Sequence, residues 1–453
     1  MRAEASAIVH TEGESNTSAA RSGWNAGIGD AATRELLARD SAAFLHQSLS
    51  SPCLTAMAKA EGIWIEDTMG RRYMDFHGNS VHHIGYGHPR LKEAIKQQLD
   101  DLCFSPRRFT CEPAVELAET LGRLAPGDLG KVLFTTGGSD AIEVALRLAR
   151  AATGRFKTLS FWDAFHGAGF GASSVGGEAT FRSGIAGPLL PGAEHVAPWG
   201  NRNCAYGHDN LEDSARACAK MISYVLAKEG DIAAVVAEPM RATPYPPAPG
   251  FWKSVREACD RHGTLLIFDE IPTGLGKTGR FFAHEHDGVQ PDMVVLGKAL
   301  GGGILPIAAV IARRDLDVAG GYAIGHYTHE KNPVTTRAAL TTIEIIREEG
   351  LTERAAELGA HAMERLRTFS ERCPAVGDVR GRGLLFGVEL VKDRAEFTPD
   401  NALAERVYYR CLEGGLSFKI SQGNVLTLSP PMVITRAELD RALDIVEQAI
   451  LAG

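Results

Sequence analysis

The sequence lacks long hydrophobic runs, an excess of positive charge and closely spaced cysteine pairs. No apolar stretch approaches the length of about 18 residues that a membrane-spanning helix needs. The formal net charge of −8 over 453 residues argues against a surface for nucleic acid or anionic membranes. None of the eight cysteines forms a CxxC pair, so we expect free thiols in a cytoplasmic protein. The 15 histidines form no HExxH motif, and we therefore expect no metal site.

What is present is an ordinary globular composition, with 44% hydrophobic and 23% charged residues. A chain of this length can form two or three domains. We expect residues 1–45 to be a polar N-terminal extension, loosely ordered to about Asp30 and lacking the apolar core of a secretory signal. Residues 46–75 should join a small domain, residues 76–331 should form a large domain, and residues 332–453 should complete the small domain.

Short apolar runs alternate with helical segments through the middle of the chain. Runs that are apolar throughout are typical of strands buried on both faces of a mostly parallel sheet. The predicted strands are 131–134, 158–162, 233–237, 265–268, 293–296 and 307–312, and the predicted helices include 140–153, 211–228 and 251–262. After Asn332 the pattern predicts helices at 334–349 and 352–372, a strand at 381–390 and a helix at 439–451. The fold class is therefore α/β, with a smaller α+β domain.

Five of the predicted strands are followed by residues that can bind a ligand. They are Gly138 and Ser139, Phe165, Glu238, Asp269, and Lys298. In open α/β sheets, ligands bind at the carboxyl ends of the strands. Each residue also has a simpler explanation. The glycine and serine could form a plain strand-to-helix turn with a serine cap, and the phenylalanine could be a core aromatic. The agreement of five strand ends favours a shared binding site.

Asp269 and Lys298 lie 29 residues apart, and each follows an apolar run. An acid at the end of one buried strand and a lysine at the end of the next are what a pyridoxal phosphate site requires. The lysine binds this cofactor as a Schiff base, and the acid keeps the pyridine nitrogen protonated. The glycines before a helix N-terminus would suit its phosphate. Although a lone lysine at such a place is usually a solvated strand end, the other four segments favour the cofactor.

The segments Asp269–Gly279 and Gly297–Gly303 resemble the class III aminotransferases, a family of fold-type I pyridoxal phosphate enzymes. The resemblance extends from about Gly62 to the C-terminus. It implies that the large domain binds pyridoxal phosphate on a mostly parallel seven-stranded sheet. It also implies a homodimer with shared active sites, which could pair into a tetramer, and neither nucleic acid nor membrane as a partner.

The resemblance further implies roles for individual residues. Lys298 and Asp269 would be catalytic, the first bonded to the cofactor and moving protons, the second paired with the pyridine nitrogen. The remaining cofactor-binding residues would be Gly138 and Ser139 at the phosphate, Phe165 stacked on the ring with His166 beside it, Ile271 on the other face, Glu238, and Thr328 reaching the neighbouring subunit's phosphate.

The sequence departs from the family pattern at Thr427, where the family usually has an arginine. That arginine clamps the α-carboxylate of an amino or keto acid by a bidentate contact, which threonine cannot make. Arg107 and Arg108 are candidates for binding an anionic group of the substrate, or else form a solvated loop pair. Pro272 replaces a frequent polar residue near the cofactor O3′ and brings no side-chain donor.

Two enzymatic functions are compatible with this resemblance. Segments 75–82 and 104–109 are similar to family members that degrade aminophosphonates, which favours a lyase releasing ammonia from a hydroxy-aminoethylphosphonate-type substrate. The alternative is an ω-aminotransferase that moves an amino group from a terminal amine to a keto acid. A decarboxylase of dialkylglycine would need the missing arginine. A pyridoxal phosphate-binding regulator is disfavoured, because the N-terminal extension is short and has no basic helix.

Overall fold

The structure is a computed structural model that describes residues 18–182, 187–200, 202 and 204–453. Its helices are α1 (Ala19–Ala26), α2 (Ala31–Ala43), α3 (Pro89–Asp101), α4 (Glu112–Leu124), α5 (Gly138–Thr153), α6 (Phe170–Val175), α7 (Leu211–Glu229), α8 (Phe251–His262), α9 (Pro333–Glu348), α10 (Leu351–Arg372), α11 (Asn401–Glu413) and α12 (Arg436–Leu451). In the described parts of the chain, no helix is long and apolar enough to span a bilayer.

The strands are β1 (Met57–Glu61), β2 (Trp64–Asp67), β3 (Arg72–Asp75), β4 (Leu129–Thr135), β5 (Lys157–Phe161), β6 (Ala193–Val196), β7 (Ile232–Ala237), β8 (Leu265–Asp269), β9 (Met293–Leu296), β10 (Ala308–Arg313), β11 (Val376–Arg382), β12 (Leu385–Asp393), β13 (Thr398–Pro399), β14 (Leu416–Ser417), β15 (Lys419–Ser421) and β16 (Val425–Leu428). The chain forms two compact units. The large unit is Asn79–Glu357, and the small unit combines the described residues up to Gly78 with Leu358–Gly453.

The large unit is built on a seven-stranded sheet, counted over its described residues, with the order β4-β10-β9-β8-β7-β5-β6. β10 is antiparallel to both of its neighbours, and all the other pairs are parallel. This confirms the mostly parallel seven-stranded sheet. β6 was not predicted, because its sequence Ala193–Val196 places Glu194 and His195 in the middle of a short edge strand instead of an apolar run.

Two apolar layers cover the faces of this sheet. One contains Trp199, Trp252 and Phe268 and lies with α7 and α8, and the other contains Val236 and Val295 and lies with α5. Full burial of each large side chain contributes about 1.5–3 kcal/mol, so these layers stabilise the central strands. The strands β7, β8 and β9 are buried along their whole length, as their unbroken apolar sequences predict.

The boundary between the units lies at Leu358, inside α10, whereas the sequence analysis placed it at residue 332. The difference arises because α9 packs against α3 and α4 and therefore belongs to the large unit.

The N-terminal segment also differs from the expected loose extension. Arg21 Nη1 donates to the Pro52 carbonyl at 2.9 Å, and Trp24 Nε1 donates to the Leu54 carbonyl at 2.9 Å. The first 17 residues of the expected extension lie outside the described residues.

Over its described residues, the small unit contains two sheets, with the orders β1-β2-β3-β14 and β11-β12-β16-β15, and β13 pairs with β12. The single strand predicted at 381–390 is in fact the end of β11 and the beginning of β12. The two strands form an antiparallel hairpin that turns at Gly383, whose φ of +55° suits glycine. α12 begins with a capping box, in which Thr435 and Glu438 exchange side-chain and backbone hydrogen bonds.

Candidate active site

The candidate site lies in the large unit, at the edge where three central strands end. β7 and β8 are parallel, with Ala237 paired to Phe268, so Glu238 and Asp269 follow at the same level. β8 and β9 pair Asp269 with Val295, and Lys298 comes three residues after this position. Neighbouring strands are about 4.8 Å apart. The topology therefore brings Glu238, Asp269 and Lys298 to one edge of the sheet.

The Asp269 carboxylate is held by two donors in a buried environment. His166 Nδ1 lies 2.8 Å from Asp269 Oδ2, and the Ile271 N–H donates to Asp269 Oδ1 at 3.1 Å. The other ring nitrogen of His166 lies 3.3 Å from Ser160 Oγ, on β5. These contacts fix the orientation of the carboxylate. His166 therefore has a structural role beside the expected cofactor ring, because it orients the Asp269 carboxylate.

Lys298 opens a short 3₁₀ turn, Lys298–Gly301, directly after β9. Its φ is +45°, in the left-handed region that non-glycine residues seldom adopt. Such strained residues cluster at functional sites, where the surrounding structure enforces them. The side chain of Lys298 is exposed, although its neighbours Gly297 and Ala299 are buried. Lys298 is thus an exposed residue at the end of a buried strand.

The N-terminus of α5 forms a cradle of backbone N–H groups. Gly137 is the extended cap residue, and the helix begins at Gly138. The first N–H groups of a helix have no partner within it and lie at the positive end of its dipole, which suits a phosphate. A side chain at Gly138 would place its Cβ 2.7 Å from Ile271 Cδ1, so the end of the Ile271 side chain would have to move to accommodate it.

Ser139 is positioned at this cradle by a glycine that the sequence analysis did not single out. The Ala168 N–H donates to Ser139 Oγ at 3.0 Å. Gly167 has a φ of +127°, and a Cβ there would lie 2.5 Å from Ser139 Oγ. The close packing of Gly167 on Ser139 arises only in the folded loop. In the sequence, its only indication is the His166-Gly167 dipeptide after a predicted strand.

Phe165 and Thr328 are both accessible. Phe165 is 39% exposed, so it is not a core aromatic, and its ring centroid lies 4.4 Å from that of Phe181. Thr328 is exposed in a turn, and the preceding Tyr327 donates its hydroxyl to the Asp140 carbonyl at 3.4 Å. This contact ties the segment before Thr328 to the first turn of α5.

Glu238 has the most unusual electrostatic environment of these residues. It is 8% exposed, and its pKa is raised from 4.5 to about 7. Burial is the largest cause, and the negative charge of Asp269 raises the pKa further. The positive charges of His166, Lys298 and Arg241 act in the opposite direction. Glu238 is therefore a carboxyl that binds a proton near neutral pH.

The expected substrate residues, Arg107 and Arg108, both lie in the large unit. Arg107 is half-buried and Arg108 is exposed in a turn between α3 and α4. Over the described part of the chain, neither guanidinium has an ion-pair partner. Thr427 lies on β16 in the small unit, where it is buried and donates to Ser421 Oγ at 2.8 Å. Its hydroxyl is thus already engaged in that unit.

The donors at this strand edge fit pyridoxal phosphate by their chemistry. An open helix N-terminus suits the phosphate, an oriented carboxylate suits a protonated pyridine nitrogen, and a primary amine suits the aldehyde. A Cβ at Gly138 would contact the end of the Ile271 side chain, so little space lies beside these N–H groups. These observations come from the large unit alone.

Comparisons with known proteins agree with this chemistry. A family profile described as "Aminotransferase class-III" matches residues 46–450. The chain is 47% identical to the (R)-1-hydroxy-2-aminoethylphosphonate ammonia-lyase of Vibrio splendidus, over 97% of this chain and 95% of that protein. It is 38% identical to the leucine/methionine racemase of Thermococcus litoralis, over 88% of this chain and 91% of that protein. An aminotransferase structure from Bacillus anthracis superposes with a TM-score of 0.86 at 32% identity, covering 93% of this chain and 98% of that chain.

Proposed function

Because the chain belongs to the class III aminotransferase family of fold-type I enzymes, we propose that it is a pyridoxal phosphate-dependent ammonia-lyase. Its substrate is a small amine of the hydroxy-aminoethylphosphonate type. The observation that carries this proposal is the similarity to the Vibrio splendidus lyase, which extends over nearly the whole of both chains.

Pyridoxal phosphate, when bound, withdraws electrons from the amine-bearing carbon of a substrate and so acidifies its C–H bond. The chain supplies the residues to hold it. The N-terminus of α5, with Gly138 and Ser139, would bind the phosphate, and Asp269, oriented by His166, would pair with the pyridine nitrogen. Lys298 would anchor the cofactor through its amine, and Phe165 and Ile271 would contact its ring.

The reaction needs one base at the amine-bearing carbon. The Lys298 amine takes the C–H proton, and the neighbouring carbon loses its hydroxyl group as water. A carbon–carbon double bond forms in place of the two broken bonds. Hydrolysis of the resulting unsaturated amine consumes one water and releases ammonia, which leaves an aldehyde that still carries the phosphonate. No keto acid takes part, so the enzyme turns over on one substrate.

The threonine at position 427, where the family pattern has an arginine, supports elimination over amino transfer. A keto acid needs a clamp for its α-carboxylate, and threonine offers no positive charge for it. A phosphonate substrate without a carboxylate does not need that clamp. Arg107 and Arg108, which form no ion pair with any described residue, remain the proposed contacts for the phosphonate.

An ω-aminotransferase is the second candidate function. The observation that favours it is the close structural similarity to an aminotransferase. In that reaction the amino group stays on the enzyme after the first half-reaction and is passed to a keto acid.

We further propose that the protein is a cytoplasmic homodimer, in which Thr328 reaches the phosphate of the neighbouring subunit. The eight free cysteines and the exposure of Thr328 support this assembly and compartment.

The two functions differ in their need for a keto acid. The purified holoenzyme is mixed with 1-hydroxy-2-aminoethylphosphonate, with or without pyruvate or 2-oxoglutarate, and ammonia, alanine and glutamate are measured. A lyase releases ammonia equally in both mixtures. Product formation only with a keto acid, as alanine or glutamate, would show the aminotransferase instead. Lys298→Ala should abolish either reaction, while Lys253→Ala, an exposed lysine on α8, should not change it.

A further inference from the structure

Loss of a hydroxyl group requires a proton donor, because hydroxide is a poor leaving group in water and in proteins. Lys298 cannot serve at the start of the reaction, since its amine must accept the C–H proton. We propose that Glu238 is the catalytic acid that protonates the departing hydroxyl oxygen of the substrate. This inference rests on the proposed lyase function.

The position of Glu238 follows from the register of the central strands. It comes directly after β7 and stands level with Asp269 on β8. Residues in register on neighbouring parallel strands point to the same face of the sheet. Glu238 and Asp269 therefore lie on one face, at the strand edge that also carries Lys298. A carboxyl is thus placed beside the acid–lysine pair on which the cofactor assignment is based.

Glu238 differs from its acidic neighbours because it has no donor within the described structure. Asp269 accepts from His166 and from the Ile271 N–H. Glu270 is saturated by three donors, namely the Ala283 N–H, the His284 N–H and His284 Nδ1. The Glu238 carboxyl makes no hydrogen bond or ion pair to any described residue, although it is 8% exposed. Buried carboxyls are normally satisfied, so this one is available to a bound group.

The charges around Glu238 come from every strand end packed beside it. Asp269 follows on β8, His166 lies after β5, Lys298 lies after β9, and Arg241 lies in the turn after β7. Burial and Asp269 together outweigh the three positive groups, and the pKa is raised to about 7. A general acid works best when its pKa is near the working pH, because it then holds a proton and can also release it. Two carboxyls with different environments thus take different roles.

The proton balance of the elimination is complete with these two residues. The C–H bond breaks, its proton goes to Lys298 Nζ, and its electron pair forms the new carbon–carbon double bond. The carbon–oxygen bond breaks with its electron pair on oxygen, which takes the proton of Glu238 and leaves as water. Glu238 is left as a carboxylate and regains a proton from the Lys298 ammonium group or from solvent.

The test uses a substrate whose leaving group needs no proton. Ammonia release is measured with the hydroxy compound and with its analogue in which chloride replaces the hydroxyl group. Glu238→Gln should lower kcat/KM for the hydroxy compound by about 10²–10⁴-fold, the usual contribution of a general acid, and should leave the chloro compound nearly unaffected. Glu285→Gln is the control, because partial desolvation also raises the pKa of that carboxyl, although Glu285 is exposed and lies in another turn.

A second measurement does not depend on turnover. In infrared difference spectra of the holoenzyme without substrate, a carboxyl signal should titrate near pH 7 in the wild type and be missing in Glu238→Gln. Deuterium exchange at the amine-bearing carbon should persist in this variant, because Lys298 is intact.

The outcomes separate the inference from the function on which it rests. Equal loss on both compounds, an unaffected hydroxy reaction, or a titration unchanged by the substitution would each overturn the role of Glu238 and leave the lyase standing. If the wild type releases ammonia from neither compound, the proposed function fails, and the role of Glu238 fails with it.

Discussion

His166 and Asp269 form a buried pair in which His166 Nδ1 lies 2.8 Å from Asp269 Oδ2. His166 follows β5 and Asp269 ends β8, with β7 between these two strands. The contact between His166 and Asp269 thus spans β7, the strand that ends just before Glu238. It fixes the carboxylate that we assign to the pyridine nitrogen.

Removal of this imidazole should weaken both the fold and cofactor binding. In His166→Phe, Asp269 keeps only the Ile271 N–H as a donor while it remains buried. We expect the free energy of unfolding to fall by about 1–3 kcal/mol and the cofactor to dissociate faster. Urea unfolding and the rate of cofactor loss on dialysis measure the two effects. His166→Asn, whose amide can donate to the same oxygen, should recover part of both, and equal behaviour of the two variants would contradict this role.

Gly167 should be intolerant of a side chain. A Cβ at this position would lie 2.8 Å from Ser139 Cα, which cannot move without shifting the start of α5. Gly167→Ala should therefore destabilise the protein by about 1–3 kcal/mol and raise the dissociation constant for the cofactor, measured by titration of the cofactor-free protein. Gly23→Ala is the control, since a Cβ there meets no atom within 4 Å. Normal cofactor affinity in Gly167→Ala would exclude the proposed phosphate cradle.

The raised pKa of Glu238 predicts a pH-dependent stability difference. The folded protein binds this proton more tightly than the unfolded chain, since the pKa rises from 4.5 to about 7. The stabilisation is therefore fully present below pH 4.5 and is lost as the pH rises through about 7. As the pH rises from 4.5 to about 7, the unfolding free energy of Glu238→Gln should increase relative to that of the wild type by up to roughly 3 kcal/mol. Urea unfolding across this range checks it, and a constant difference would contradict the shifted pKa.

Asp292 should stabilise the sheet without affecting the site. It is buried before β9, at the end opposite Lys298, and accepts from the Leu266 N–H at 2.6 Å and from Arg256 at 2.7 Å. Asp292→Ala would leave the buried Leu266 N–H without its acceptor and Arg256 with Asp260 as its remaining ion-pair partner, at a cost of about 1–3 kcal/mol in urea unfolding. Asp315→Ala should cost at most about 1 kcal/mol, because this exposed residue pairs with Arg313 at the surface. Similar costs for the two variants would contradict the burial argument.

The strand ends could be predicted because the strands before them are apolar without interruption. Leu265–Asp269 and Met293–Leu296 are buried at every position, so their sequences mark both the strand and its end. α8 likewise matches the predicted range of 251–262. The local sequence was sufficient to predict these strands, because strands buried on both faces are apolar throughout.

Other features depend on packing that the sequence does not display. β6 carries Glu194 in an edge strand, and its place is set by pairing with β5. α9 belongs to the large unit through contacts with α3 and α4, which lie more than 200 residues earlier in the chain. The isolation of Glu238 is a property of the assembled strand edge, since its neighbour Glu270 in the same edge is saturated. Residue identity alone could not distinguish these two acids.

The central claim is most directly tested by the stoichiometry of ammonia and aldehyde formed without any keto acid. Holoenzyme is incubated with 1-hydroxy-2-aminoethylphosphonate, and both products are counted per active site. Our account predicts one ammonia for each aldehyde and many turnovers. One aldehyde per active site, with no free ammonia, would show that the amino group stays on the enzyme and would contradict the lyase.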